Sequence, residues 1–375
     1  MKRRSFIAVS AGATAATLAG CIQSTSDNGD DSSDDGSVDD TGTDDDADAE
    51  PDTLHVATYS SFIDAPSDSP GEWIKDEFEA RNDVTLEWHT PEQEINHYIE
   101  RHNQGAEIEP ELFLGVTPLD LVRVDENTDD DLFLETDRSV LEHAEDIGEQ
   151  HEFDPYGRVI PVHRSLCAVV YDGRNVDTPE TFEDLTDPKY DGQIGISNPQ
   201  RGTTGLLFML WTINEFGEDG YLDYWDELFE NNIRVTDSWS EVYTQFEEEE
   251  LPVVVSYSND RVYAKRFGND LDKHQVSLLN DEAYANVTGM ARFAEHDESK
   301  DELVHTFMDF MLDPEVQAVV AERNVTGPTN EQTEVPDVFA EYAKQPEEAV
   351  FFDYDDLSGN LSDWVDEWGR AAASQ

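Results

Sequence analysis

Four short runs combine aromatic rings, polar groups and acids at spacings that could hold a small molecule. They are Thr58-Tyr59-Ser60-Ser61-Phe62, Asn198-Pro199-Gln200-Arg201-Gly202-Thr203-Thr204-Gly205, Thr236-Asp237-Ser238-Trp239-Ser240-Glu241, and Val255-Ser256-Tyr257-Ser258-Asn259-Asp260 with Tyr263 one turn on. The chemistry they suit is non-covalent. An aromatic face attracts a desolvated cation by about 2 kcal/mol, and a carboxylate such as Asp260 adds a charge-assisted hydrogen bond. Free N–H groups at a helix start near Gly202 and Thr203 suit an oxygen or phosphate of the same ligand. Taken singly, each residue has a plainer reading: Tyr59, Trp239 and Tyr257 as core packing, Gly202 and Thr203 as an ordinary helix start. Together they describe a slot for a flat organic cation.

Catalysis has little support. The chain lacks G-x-S-x-G, H-E-x-x-H, Cys-x-x-Cys and a Walker A loop. Its ten histidines are scattered, mostly beside acids. His163 and Cys167, four residues apart, are the only candidates for an acid–base or nucleophilic pair. Cys167 sits in an apolar run, Ser165 to Tyr171, where a buried structural thiol is expected. The reading is therefore no enzyme, no metal and no cofactor beyond a captured ligand.

The elements that would position these groups alternate between extended and helical. Strands are read at 54–59, 85–88, 111–116, 158–162, 166–171, 193–197, 233–236 and 251–257. Helices are read at 71–80, 92–103, 203–216, 221–230, 239–248, 302–311, 314–322 and 357–373. Such alternation points to parallel sheets in an α/β fold, where ligands collect beyond the carboxyl ends of strands. All four runs lie at such junctions. Ser238 with Glu241 matches a capping box that sets Trp239 on the first helical turn.

In order and spacing, NPQRGTTGLLFMLW, VTDSWSEVY and VVSYSND resemble the periplasmic thiamine-binding proteins, receptor subunits of ABC importers. The likeness runs from about Thr53 to Arg370 and includes DWVDEW near the end. It implies a two-lobed periplasmic-binding-protein fold of type II-like α/β architecture, with a ligand cleft between lobes joined by crossing strands. Residues 53–160 with about 285–375 would form lobe 1, and 161–284 lobe 2. The implied ligand contacts are Gly202, Thr203, Trp239, Tyr257, Ser258, Asn259 and Asp260, with Tyr59 and Tyr263 as surrounding rings. Where relatives carry an acidic-glycine pair, this chain has Glu92-Gln93-Glu94, so Glu92 and Gln93 are weaker candidates. Thr117-Pro118-Leu119-Asp120 also lacks the family's acid at its first position. The implied ligand is thiamine or its phosphate esters, delivered to a membrane permease. Fe(III) is an alternative on the same fold, although the paired adjacent tyrosines of iron receptors are absent; polyamines and other small cations are another.

Composition sets the environment. Formal charge is −64, from 87 acidic and 23 basic residues, which argues against nucleic acid as a partner. Only seven of the basic residues are lysines. This acid-rich, lysine-poor surface is that of proteins from hypersaline organisms, where a Debye length of about 3 Å at 1 M salt makes self-repulsion tolerable.

The N-terminus reads as an address. Arg3-Arg4 precede a short apolar run, and Leu18-Ala19-Gly20-Cys21 resembles a lipobox. The expectation is a twin-arginine lipoprotein signal over 1–21 with Cys21 lipidated, then an acidic disordered tether over 22–52. A monomer held on the outer face of the cytoplasmic membrane follows. Three sequons, at Asn286, Asn324 and Asn360, are weak signals of glycosylation.

Overall fold

A computed structural model describes residues 52–65, 68–347 and 349–375. The signal over 1–21, Cys21 and all but the last residue of the tether lie outside the described residues. Among the described residues no helix is long and apolar enough to cross a membrane.

Eleven strands form the sheet: β1 (Asp52–Thr58), β2 (Val84–His89), β3 (Leu112–Val116), β4 (Phe133–Leu134), β5 (Val159–Tyr171), β6 (Ile194–Ser197), β7 (Arg234–Thr236), β8 (Val253–Tyr257), β9 (Gln275–Ser277), β10 (Tyr284–Phe293) and β11 (Gly327–Pro328). The main order is β2-β1-β3-β10-β5-β8-β6-β7. β2, β1 and β3 are parallel to one another, as are β8, β6 and β7. Between these two parallel sets lie β10 and β5, antiparallel to their neighbours. Fold class thus follows the expectation: an α/β protein of the two-lobed binding type, with long strands crossing between the parallel sets.

Those two strands were the least legible part. β5 is continuous over 13 residues, where the sequence suggests two pieces broken near His163. β10 was not expected at all. It is buried along nearly its whole length, so it shows no alternation, and Asn286, Thr288 and Gly289 dilute its apolar character. Register shifts at Gly289 on both sides. A Cβ there would come within 2.4 Å of Val159, so only glycine lets the strands pass so closely.

Helix Pro118–Asn127 has no counterpart among the elements read in the sequence. Thr117 and Asp120 cap it reciprocally, with proline in its first turn. These local signals are outvoted in sequence by surrounding acids. Helix Ile95–Asn103 begins three residues later than expected, after Glu94 takes a positive φ of 48°.

The helices of the C-terminal part of the chain pack on different elements. Helices Asp301–Leu312 and Pro314–Arg323 pack with the Leu54, Leu112 and Ile160 face, where Phe78 meets Phe307 and Phe310 at 5.1 and 5.2 Å. The C-terminal helix Leu361–Ala372 instead lies on helix Tyr221–Glu230. Trp368 meets Trp225 at 5.3 Å, and the Tyr221 hydroxyl donates to the Trp364 carbonyl. Residues 285–375 therefore serve both sides. Each fully buried large apolar side chain there contributes about 1.5–3 kcal/mol.

Candidate functional site

At the end of β6 the chain turns into helix Thr203–Phe216. Gly202 at its cap has no side chain to offer. Ser197 substitutes: its Oγ accepts the Gly205 N–H at 2.9 Å and bonds Thr204 Oγ1 at 2.9 Å. A Cβ on Gly205 would stand 1.9 Å from the Ser197 carbonyl oxygen, so glycine is what seats this helix on its strand. Thr203 is exposed in the first turn, and its amide has no acceptor among the described residues. That N–H is available to a ligand oxygen.

Beside it, helix Trp239–Glu247 starts at Ser238, whose Oγ accepts from the Glu241 amide at 3.3 Å. The expected box is half formed, because the Glu241 carboxylate reaches the Asp237 amide instead. Trp239 nevertheless falls on the first turn, 36% exposed, its indole N–H donating to Ser256 Oγ at 3.0 Å. Tyr243, one turn later, stacks against it at 4.9 Å and 26°. Tyr257 at the end of β8 closes the group, 6.2 Å from Trp239. Together these three rings make an aromatic wall.

Asp260 supports this wall from behind. It is 4% exposed. One oxygen accepts from the Tyr243 hydroxyl at 2.5 Å, and the other meets His274 Nδ1 at 2.8 Å. Both oxygens of Asp260 are thus engaged within the protein, so the carboxylate braces the wall from behind. Ser258 is likewise buried, its amide donating to Leu166 and its carbonyl accepting from Lys344. Asn259 donates its side-chain amide to the Val325 carbonyl. Tyr263 donates to the Asn324 carbonyl at 3.3 Å.

Asn324 joins the two sides. Its Nδ2 donates to the Tyr59 hydroxyl at 3.1 Å, which in turn lies 3.4 Å from His163 Nε2. The Tyr59 ring packs on Gly115, where φ is +140° and a Cβ would come within 3.0 Å of it. Burial pushes the Tyr59 phenol well above its usual range. The Asn324 side chain, donating to its oxygen, acts in the opposite direction. Burial also raises Tyr257, Tyr263 and Tyr243. All four phenols are neutral at ordinary pH and offer π faces and hydrogen bonds rather than charge. His163, only 4% exposed, is pushed down to about 4 by burial and is neutral too.

The acid in contact with these phenols is Asp260, through Tyr243; Glu94 stands at the start of helix Ile95–Asn103. Partial burial, then the neighbouring Asp120, raise its carboxyl. Asp120 is itself raised by burial, with Arg123 and Thr117 opposing. Glu92 and Gln93 are exposed on the preceding turn and make no side-chain hydrogen bond. Glu94, Asn324 and Tyr243 are the site residues that sequence reading missed. A carboxylate at positive φ, and an asparagine 265 residues from the tyrosine it bonds, leave no local signature.

The pair proposed for catalysis is not assembled. Cys167 is fully buried, its thiol pushed far up by burial and donating to the Thr204 carbonyl at 3.9 Å. It pairs in register with Tyr257, whereas His163 pairs with Thr288 and Pro328. Of the sequons, Asn286 lies within β10 and Asn324 is held by Tyr59. A polar hollow of about 390 Å³ by Arg174 and Lys189 lies apart from these groups. Its guanidinium is already bonded to Asp172, Glu249 and Asp270.

Two parallel strand sets bridged by antiparallel strands, with phenols and helix starts meeting at their carboxyl ends, define a two-lobed solute-binding protein. The chain belongs to the family of bacterial extracellular solute-binding proteins, whose model matches residues 126–358. It is similar to the thiamine-binding periplasmic protein of Escherichia coli, 25% identical over 321 residues, which span 85% of this chain and 93% of that one. The thiamine-binding periplasmic protein of Brucella suis is 23% identical over 327 residues, 86% and 92% of the two chains. Among solved structures, a periplasmic thiamin binding protein matches with TM-score 0.70 at 24% identity, over 86% of this chain and 96% of that one. A ferric binding protein from Campylobacter jejuni matches with TM-score 0.69 at 16% identity, over 85% and 99%. The chain is a receptor for a solute and not an enzyme.

Proposed function

We propose that the solute is thiamine, or a thiamine phosphate, captured between two lobes and delivered to an ABC permease in the membrane. The observation that carries this reading is the wall of Trp239, Tyr243 and Tyr257, with Tyr263 and Tyr59 linked through Asn324. Neutral rings suit a flat cation, and Glu94 would add an exposed carboxylate to it. The Thr203 amide suits its hydroxyl or phosphate tail. The names of the relatives above point the same way. β5 and β10, loosened at Gly289, would be the hinge on which lobes of about 53–160 and 161–284 close, with 285–375 divided between them. The export signal, lipidation at Cys21, monomeric state and high-salt habitat belong to this reading as well.

Titration of the purified protein with thiamine, followed by Trp239 fluorescence and by calorimetry, tests it. The expected result is saturable 1:1 binding at micromolar ligand or below. Absence of a response to thiamine and its phosphates, with binding of Fe(III) or spermidine instead, removes the proposal.

A further inference from the structure

A second cluster of chemistry-bearing side chains lies away from the phenols. His55 on β1 and His89 at the end of β2 face each other, His55 Nδ1 standing 3.0 Å from His89 Nε2, with the rings 64° apart. Glu109, on the approach to β3, has its carboxylate 3.9 Å from His89 Nδ1. One ligand atom from each of His55, His89 and Glu109 lies within 4.8 Å of the other two. A further carboxylate, Glu87, comes within 3.6 Å of His55 Nδ1.

We propose that His55, His89 and Glu109 form a binding site for a divalent transition-metal ion of the zinc type. Two imidazoles with a carboxylate are a donor set that such ions accept and that Mg²⁺ or Ca²⁺ does not favour. Zinc–nitrogen bonds of about 2.0–2.1 Å set two imidazole nitrogens about 3.3–3.4 Å apart on a tetrahedral ion, so the His55–His89 spacing of 3.0 Å has only a few tenths of an ångström to open. The histidines are held: their side chains are 17% and 25% exposed, and the His55 amide donates to Glu111, which also pairs with Lys300. The carboxylates are free to adjust, with Glu87 and Glu109 side chains 54% and 65% exposed. In the metal-free chain the imidazoles share one proton as an N–H···N bond. The ion takes that proton's place, the proton moving to the other nitrogen of its ring so that both imidazoles bind as neutral ligands, and it ties the edge strand β2 to β1 and to the start of β3. His55 precedes Tyr59 by four residues, about 13 Å along a strand, so the site is separate from solute capture and does not rest on that reading.

The test is calorimetric titration of the chelator-treated full chain with ZnCl₂ in excess Mg²⁺ and high KCl, which occupy carboxylate-only sites. The expected result is one Zn²⁺ per chain and a raised Tm. His89→Asn and His55→Gln each weaken binding about 100-fold or more, and Glu109→Gln about 10-fold. Co²⁺ should give a visible absorption band in the wild type that both imidazole variants lose, with far-ultraviolet circular dichroism confirming that they remain folded. Glu109 is exposed, so its variant keeps the test open if an imidazole variant does not fold. Zinc bound no tighter by the wild type than by Glu109→Gln and His89→Asn, or no Co²⁺ band in the wild type, overturns the site.

Discussion

The Tyr243 hydroxyl donates to Asp260 at 2.5 Å, and through that bond a fully engaged carboxylate fixes a ring of the aromatic wall. Asp260→Asn keeps the shape and removes the charge from this contact and from the one to His274. Charge-assisted hydrogen bonds contribute about 1.5–3 kcal/mol each. Expected outcomes are a stability loss of about that size in urea unfolding and about 10-fold weaker solute binding, with Tyr243→Phe reproducing the first more than the second.

Trp239 tests the wall directly. Losing an aromatic face beneath a desolvated cation costs about 2 kcal/mol, or roughly 30-fold in Kd at 1.4 kcal/mol per tenfold. Trp239→Ala should show that loss by calorimetry, and Trp239→Phe should recover part of it. Because Trp239 also stacks on Tyr243 and donates to Ser256, the alanine variant should lose about 1–2 kcal/mol in urea unfolding, and the phenylalanine variant less.

Glu94 separates function from stability. Its φ of +48° is unfavourable for any residue with a Cβ, and such strain stores about 1–3 kcal/mol. Glu94→Gly should therefore raise Tm while weakening cation binding. Glu94→Gln should weaken binding with no rise in Tm, and equal stability in both variants would refute the strain.

Burial lowers His163 and His151 to about 4 from an unfolded value of 6.5. Above pH 6.5 both states are neutral at these positions, so no stability is lost. As pH falls from 6.5 towards 4 the unfolded chain takes up protons first, and each histidine costs about 1.4 kcal/mol per pH unit. Denaturant unfolding across that window should show a shallower decline in His163→Gln than in the wild type. Parallel declines would mean that His163 is not held neutral.

Salt should act on the whole molecule. With a formal charge of −64, self-repulsion extends about 10 Å at 0.1 M salt and about 3 Å at 1 M. Thermal unfolding in increasing KCl should show Tm rising steeply to about 1 M and less thereafter.

Much of this was legible in the residues. Gly202–Gly205, Ser238–Glu241 and Ser256–Asp260 announce their helix starts and strand end through local signals, glycine for close approach and serine for capping, and these need no distant partner. The order of those runs carried the family. The direction of Asp260 was not legible, because whether a carboxylate faces a ligand or a neighbour depends on Tyr243 and His274, which arrive from other elements. β10 was hidden for a related reason: buried on both faces between β3 and β5, it has no alternation to display. Sequence thus determined the family and the elements that carry the candidate site, since rings, glycines and caps act over a few residues. Tertiary structure alone decided which acid stands beside the phenols, that Asn324 bridges Tyr59 and Tyr263, and that His55 meets His89, because each depends on strands and loops brought together only by burial of the shared sheet.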